Sequence, residues 1–187
     1  MKKILITSVL YTTVTAILLG LGYPLLILGL GHLFFPHQVD GSLITRNGQV
    51  IGSSLIGQSF TGNAYFHSRP SAAGNGYDPT ASGGSNLGPT SAALIARINA
   101  SVAAEKIGEM PVPVDLVTAS GSGLDPDISP AAAYYQAPRV ALARHLQLSV
   151  VNQLIENHTT QRLFGLIGEP RINVLELNLA LNALSPQ

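Results

Sequence analysis

The sequence predicts an α+β protein in which a single N-terminal transmembrane helix precedes one mixed domain with a β-hairpin and several helices. Three observations support this prediction. No Asp, Glu, Lys or Arg occurs between Ile4 and Val39, an Asn-Gly pair separates two β-prone runs within residues 42–51, and several later apolar segments have helical spacing. A chain of 187 residues suits one domain with such an appendage, because a domain takes about 100–200 residues.

The N-terminal apolar segment is long enough to remain in a membrane. About 20 apolar residues cross the hydrocarbon core, whereas a cleavable signal peptide has an apolar core of about 7–15 residues and a small-residue cleavage site. Residues 34–37 form no such site. We therefore predict an anchor at residues 1–35 and one soluble domain at residues 36–187. Because basic residues next to a span stay in the cytoplasm, Lys2 and Lys3 predict that this domain is extracytoplasmic.

Small side chains recur every four residues along the predicted anchor, at Ser8, Thr12, Ala16 and Gly20. These positions share one face of a helix, and small residues allow two helices to pack closely in lipid. We interpret this face as the contact for a partner helix; the alternative is that Gly and Thr are common in membrane spans. Pro24 removes one backbone hydrogen bond and predicts a kink.

Composition excludes several classes of function. Apart from Lys2 and Lys3, acidic residues slightly outnumber basic ones, so the outer domain lacks the basic surface that binding to nucleic acid requires. The chain has no cysteine, which excludes disulfides, thiolate metal sites and a cysteine nucleophile.

The first half of the domain is predicted as a hairpin, a long loop and a helix. Asn47-Gly48 is a strong signal for a two-residue hairpin turn. Residues 68–89 are rich in Gly, Pro, Ser and Asn and predict a long ordered loop. A helix should begin near Thr90 and stop before Gly108, and residues 115–118 should form a short strand.

The second half is predicted to be mainly helical. Ser129 should cap a helix that has Pro130 at its first position. We expect helices at residues 130–136, 138–146 and 149–158, with Pro138 opening the second one. Residues 163–167 are predicted as a strand. The tail fits both strand and helix spacing, and we choose a helix capped by Asn173, because Ala residues favour it.

Three clusters in the domain suggest chemistry, and each also has a plain structural explanation. Ser120 and Ser122 could be nucleophiles, but the Gly-x-Ser-x-Gly context between strand and helix is missing and turn chemistry explains them better. Asp125 and Asp127 could bind a cation, or simply precede a helix N-terminus. We favour the second reading and predict no metal site. The glycine-serine segment at residues 82–85 could cradle a phosphate, although it lacks the P-loop pattern.

Several stretches together resemble the C subunit of the Kdp-type potassium-transporting P-type ATPase. They cover nearly the whole chain in order: residues 57–60, 65–71, 82–87, 115–126, 128–130, 135–136, 139–141 and 168–178.

This resemblance implies an accessory subunit without catalytic activity of its own, in a high-affinity, ATP-driven potassium importer of the plasma (inner) membrane. Its partners would be a channel-like potassium-translocating subunit, an ATP-hydrolysing pump subunit and membrane lipid. Potassium would be the transported ion, and no cofactor would be bound firmly. The family is described as a catalytic chaperone that raises the ATP affinity of the hydrolysing subunit.

By position, the resemblance also assigns candidate residues. The nucleotide contacts would be Ser82, Gly83, Gly84, Ser85 and Gln136. Arg69, Asp125 and Arg139 would fix loops or contact a partner. Direct contact with ATP conflicts with an extracytoplasmic domain, and we expect the domain to change nucleotide affinity at a distance or to shape ion entry at the outer mouth of the channel. The alternatives from other classes are an anchored serine hydrolase and an anchored solute-binding module.

Overall fold

The computed structural model describes residues 1–184, so the last three residues of the predicted domain at 36–187 lie outside it. The predicted α+β architecture is confirmed, with one long apolar helix at the N-terminus and a mixed domain after it. The described residues form two compact units, residues 1–43 and residues from 44 onward.

The N-terminal unit is dominated by a helix that is long and apolar enough to cross a membrane. It runs from Lys2 to Phe34 over 33 residues and is the one such helix among the described residues. Its parts are α1 (Lys2–Ile17), a π-helical turn (Leu18–Gly22) and α2 (Tyr23–Phe34), and a short helix α3 (Pro36–Val39) follows. The π-helical turn ends at Gly22, two residues before Pro24, where the sequence predicts a kink because proline lacks an N–H.

A β-hairpin follows α3, as predicted. Strands β1 (Leu43–Arg46) and β2 (Gln49–Ser53) form a two-stranded sheet. Asn47 and Gly48 connect them with φ angles of 53° and 78°. Both angles are positive, as a type I′ turn requires.

The predicted long loop and the helix after it are also confirmed. Residues 68–89 contain no helix or strand, and α4 (Ala92–Glu105) follows. The strand predicted at residues 115–118 is wrong, because Val114–Leu116 is a 3₁₀ turn. Two features produce this turn. The N–H of Leu116 donates to the Pro113 carbonyl at 3.1 Å, and the Asp115 carboxylate accepts from the N–H of Ser129 at 2.6 Å.

Helix α5 (Pro130–Ala143) forms one continuous element. The cap is as predicted, since the N–H of Ala132 donates to the Ser129 hydroxyl at 3.1 Å. The predicted break at Pro138 is wrong. Proline removes one internal hydrogen bond, but seven residues of α5 are buried, and this packing outweighs the local penalty.

The remaining elements are α6 (Leu148–Asn157), β4 (Thr159–Thr160), β5 (Arg171–Asn173) and α7 (Val174–Leu184). Strand β5 pairs antiparallel with both β3 (Asp127–Ile128) and β4. The tail is a helix as predicted, and the N–H of Glu176 donates to the Asn173 side chain at 3.1 Å. The strand predicted at residues 163–167 is wrong, because Phe164 and Gly165 have positive φ and reverse the chain.

The core lies where α5, α6 and α7 pack against the three-stranded sheet. Phe66, from the long segment between β2 and α4, is fully buried in it. The main members from the secondary-structure elements are Ile128, Ala133, Val140, Val151, Ile155, Ile172, Leu177 and Leu181.

Candidate functional site

The segment at residues 65–67 is held by buried amide side chains rather than by a neighbouring strand. Asn178 accepts from the N–H of Phe66 at 2.9 Å and donates to its carbonyl at 2.9 Å. Gln136 accepts from the N–H of His67 at 2.7 Å and donates to its carbonyl at 3.2 Å. Gln136 and Asn178 are both buried. Each amide therefore replaces the two hydrogen bonds that a strand neighbour would supply.

Two arginines hold the backbone just before this segment. Arg139 donates to the carbonyls of Gly62 and Tyr65 at 3.2 and 3.1 Å, and to the Gln136 side chain at 2.8 Å. Arg144 donates to the Ala64 carbonyl at 2.7 Å, and its guanidinium lies 4.7 Å from the centre of the Tyr65 ring. Burial lowers the pKa of the Arg139 guanidinium from its ordinary value.

His67 links this segment to α4. Its Nδ1 lies 2.8 Å from the Glu105 carboxylate, and its Nε2 lies 3.0 Å from the Gly62 carbonyl. A cleft of about 260 Å³ opens beside this pair. It is lined by Phe60, Thr61, Gly62, His67, Ser68, Pro70, Tyr77, Ser101, Ala104, Glu105 and Leu116.

The residues Arg69 and Asp125 form an ion pair that joins two loops. The Nη1 of Arg69 lies 2.9 Å from Asp125 Oδ2. Asp125 Oδ1 accepts from the N–H of Asp127 at 3.0 Å, and the N–H of Gly57 donates to the Leu124 carbonyl at 2.8 Å. The pair thus orders the turn that leads into β3.

The two glycine-rich segments pack directly on each other. The Ser82 hydroxyl and the N–H of Gly83 both donate to the Ser122 carbonyl, at 3.0 and 2.8 Å. A Cβ added to Gly84 would lie 3.1 Å from the Gly121 carbonyl oxygen. Gly123 has a φ of 68°, and a Cβ there would lie 2.6 Å from the Ala73 nitrogen. Glycine is therefore required at residue 123, and at residue 84 a side chain would force the neighbouring backbone to shift slightly.

The candidate nucleotide contacts therefore lie in two different environments. Ser82 is exposed, and Gly83, Gly84 and Ser85 are partly exposed on the paired glycine segments. Gln136 is fully buried, and its amide is occupied by the His67 backbone. The hydrogen bonds of the Gln136 amide join it to His67, Ala132 and Arg139, away from residues 82–85.

Ser122 and Asp127, considered above as a nucleophile and a cation ligand, are bonded to structural partners instead. The Ser122 hydroxyl accepts from the N–H of Leu124 at 3.1 Å, as expected of a turn. Asp127 pairs with Arg171 at 3.0 Å, and burial raises the pKa of its carboxyl group while Arg171 opposes that rise. Among residues 1–184, no group of three or more acidic, histidine or cysteine side chains could hold a metal ion.

Sequence reasoning missed the residues that organise this region, above all Asn178, Glu105 and Arg144. A signal was available for Asn178. It lies between Val174 and Leu181 at helical spacing, so a polar side chain occupies a core position of α7. Such a residue needs buried hydrogen-bond partners. Glu105 and Arg144 carry no comparable signal.

Comparison with known proteins identifies the family. The family described as "KdpC: K+-transporting ATPase, c chain" matches residues 5–183. A protein of Acidobacterium capsulatum named potassium-transporting ATPase KdpC subunit is 65% identical over 178 residues, which cover 95% of this chain and 97% of that protein. Proteins of the same name from Koribacter versatilis and Mycobacterium tuberculosis are 55% and 51% identical, over 100% and 98% of this chain and 97% and 100% of theirs. The chain belongs to the KdpC family.

The family match includes the apolar helix as well as the mixed domain, since it begins at residue 5. The small residues Ser8, Thr12, Ala16 and Gly20 are all exposed on this helix. Gly20 lies in the π-helical turn. The Ser8 hydroxyl donates to the Ile4 carbonyl at 2.9 Å, so its hydrogen is used within the helix.

Proposed function

We propose that this chain is the membrane-anchored accessory subunit of an ATP-driven potassium importer. The observation that carries the proposal is the KdpC match over residues 5–183, which includes a 33-residue apolar helix at the N-terminus. The partners would be a potassium-translocating, channel-like subunit and an ATP-hydrolysing pump subunit. The chain would add no catalytic group of its own.

The proposed arrangement places the mixed domain outside the cytoplasm of a plasma (inner) membrane. Lys2 and Lys3 precede the helix, and basic residues favour the cytoplasmic side. The chain has no cysteine, so single cysteines can report the orientation. A cysteine at exposed Thr90 should react with a membrane-impermeant maleimide in intact cells, whereas one at Lys2 should react only after lysis.

Within the membrane, the face of Ser8, Thr12, Ala16 and Gly20 is the proposed contact for a partner helix. Its small side chains would allow close backbone packing. Replacing Ala16 and Gly20 with Leu should weaken recovery of the partner subunits, while Leu19→Ala on the same helix should not. Full assembly of the double variant would contradict this contact.

The effect on nucleotide is proposed to act at a distance. A domain outside the membrane can raise ATP affinity if it contacts two states of the complex unequally. The partly exposed glycine-serine segment at residues 82–85 would be the part available for direct contact, whether with nucleotide or with a partner. The buried Gln136 would act indirectly, by holding the His67 backbone through two hydrogen bonds.

The decisive experiment is purification of the tagged full-length chain in mild detergent from cells that express the predicted partners. We expect two larger membrane subunits to be recovered with potassium-stimulated ATPase activity. In the complex, Ser85→Ala should leave KM for ATP unchanged if the coupling is indirect. Recovery of the chain alone would contradict the subunit proposal and favour an anchored enzyme or binding module.

A further inference from the structure

The connection between β4 and β5 projects four large apolar side chains into solvent. Residues 162–169, called here the apolar turn, extend beyond the paired residues Thr160 and Arg171. The exposed fractions are 58% for Leu163, 86% for Phe164, 83% for Leu166 and 65% for Ile167. Single exposed apolar residues are ordinary, but a contiguous group of them marks a contact surface.

The apolar turn is an ordered protrusion. The N–H of Leu163 donates to the Ile167 carbonyl at 2.9 Å, and the N–H of Ile167 donates to the Leu163 carbonyl at 3.0 Å. An ion pair between Arg162 and Glu169 closes its root. The apolar side chains are therefore held in place before any contact forms, which reduces the conformational entropy lost on insertion or docking.

Phe164, at the tip of the apolar turn, has a backbone conformation that is unfavourable for a bulky residue. Phe164 has a φ of 53° and is followed by Gly165 at 73°. A bulky residue rarely adopts this left-handed conformation, which Gly or Asn would accept more easily. A large aromatic side chain at such a position, with its ring in solvent, indicates a role in contact rather than in folding.

The length of the connection to the anchor favours lipid as the occupant. Residues 35–42, which include α3, connect α2 to β1, and even a fully extended connection of this length would reach at most about 30 Å, at about 3.5 Å per residue. The domain that follows is therefore confined near any membrane that holds the anchor.

The chemistry of the apolar turn also suits a lipid surface. Residues 163–167 contain no charged or hydrogen-bonding side chain, and Arg162 and Glu169 neutralise each other at the root. Apolar groups with these properties enter the boundary between lipid head groups and acyl chains.

We propose that the apolar turn inserts Phe164 and Leu166 into the lipid–water boundary of the membrane that holds the anchor. This inference rests on the proposed anchoring of the chain. Insertion would give the domain a second membrane contact and would restrict its rotation about the connection at residues 35–42. Such a restriction would orient the domain before any partner subunit binds.

Tryptophan fluorescence can test this in the full-length protein, because the chain has no tryptophan. Phe164→Trp in lipid nanodiscs would report on the tip alone. We expect emission shifted to shorter wavelength and quenching of about two-fold by lipids brominated near the head group, since interfacial groups sit about 5–10 Å deep. Lipids brominated near the bilayer centre should quench less.

Two matched variants separate this proposal from the proposed anchoring. Leu26→Trp lies in α2 and reports the anchor, and Leu142→Trp replaces an 80% exposed leucine of α5. Quenching at Leu26→Trp but not at Phe164→Trp overturns insertion and leaves the anchor intact. No quenching at Leu26→Trp overturns the anchor and, with it, the insertion that rests on the anchor. Equal quenching at Leu142→Trp shows non-specific adsorption and overturns insertion.

A further variant distinguishes lipid from protein as the occupant. Adding Leu166→Asp to Phe164→Trp should abolish quenching while circular dichroism stays unchanged, because Leu166 is exposed. In nanodiscs, the emission of Phe164→Trp could stay at the wavelength of a water-exposed tryptophan and shift only when the partner subunits are present. The apolar turn would then bind a pocket on a partner protein. That result overturns insertion into lipid.

Discussion

Helices α4 and α5 have the same length of 14 residues but are stabilised in different ways. No residue of α4 is buried, whereas seven residues of α5 are. Each helix contains six alanines, but α5 also has Pro138 in its interior, whereas α4 contains no proline. The exposed helix thus depends on intrinsic helix propensity, and the buried one tolerates a poor local sequence because packing supports it.

The attachment of α4 to the domain is concentrated at its C-terminal end. Glu105 pairs with His67 at 2.8 Å. The Tyr135 hydroxyl donates to the Glu105 carbonyl at 3.1 Å and accepts from the N–H of Ile107 at 2.8 Å. These polar contacts at one end add to the half-buried face of α4 formed by Leu94, Ile98 and Val102, and the opposite face of the helix is exposed.

The largest expected difference between the two helices concerns their polar side chains. Gln136→Ala on α5 should lower the free energy of unfolding by about 3 kcal/mol, since it leaves two partly buried backbone groups of His67 without a partner. Asn99→Ala on exposed α4 is the matched control and should change it by less than about 0.5 kcal/mol. Chemical unfolding of the full-length chain in detergent measures both. Equal losses would remove the distinction between the helices.

A smaller difference is expected for a matched pair of valines. Val140 on α5 is fully buried, and Val140→Ala should cost about 2 kcal/mol because it leaves a cavity in the core. Val102 on α4 is half-buried, and Val102→Ala should cost about 0.5 kcal/mol. The same unfolding experiment compares them. A loss at Val102 as large as at Val140 would show that α4 has a packed face after all.

Local sequence signals predict the elements whose cause is local. Asn47-Gly48 identifies the hairpin because both residues adopt positive φ, and Ser129-Pro130 identifies the start of α5. Local signals fail where distant contacts decide. Pro138 does not end α5, because burial supports the helix beyond it. Residues 114–116 form a 3₁₀ turn whose Asp115 carboxylate binds the distant Ser129 backbone.

The candidate site shows the same division. The resemblance singles out Arg69, Asp125, Gln136 and Arg139, and the structure places all four in contacts between segments that are distant in sequence. Their partners, such as Asn178, could not be assigned from the sequence, because the pairing of Phe66 with Asn178 spans 112 positions. Neither the exposed apolar turn nor its tip at Phe164 was anticipated, since a strand was predicted at those residues.

The smallest expected difference concerns the serine that precedes each helix. Ser129 caps α5 by accepting the N–H of Ala132, whereas Ser91 precedes α4 without a side-chain cap bond. Ser129→Ala should therefore cost about 1 kcal/mol, and Ser91→Ala should cost close to zero. Thermal unfolding and amide exchange of the first helical turns measure the two effects. A loss at Ser91 as large as at Ser129 would mean that α4 depends on a capping bond that forms in solution, and its stability would then need more than the alanine-rich sequence that we assign to it.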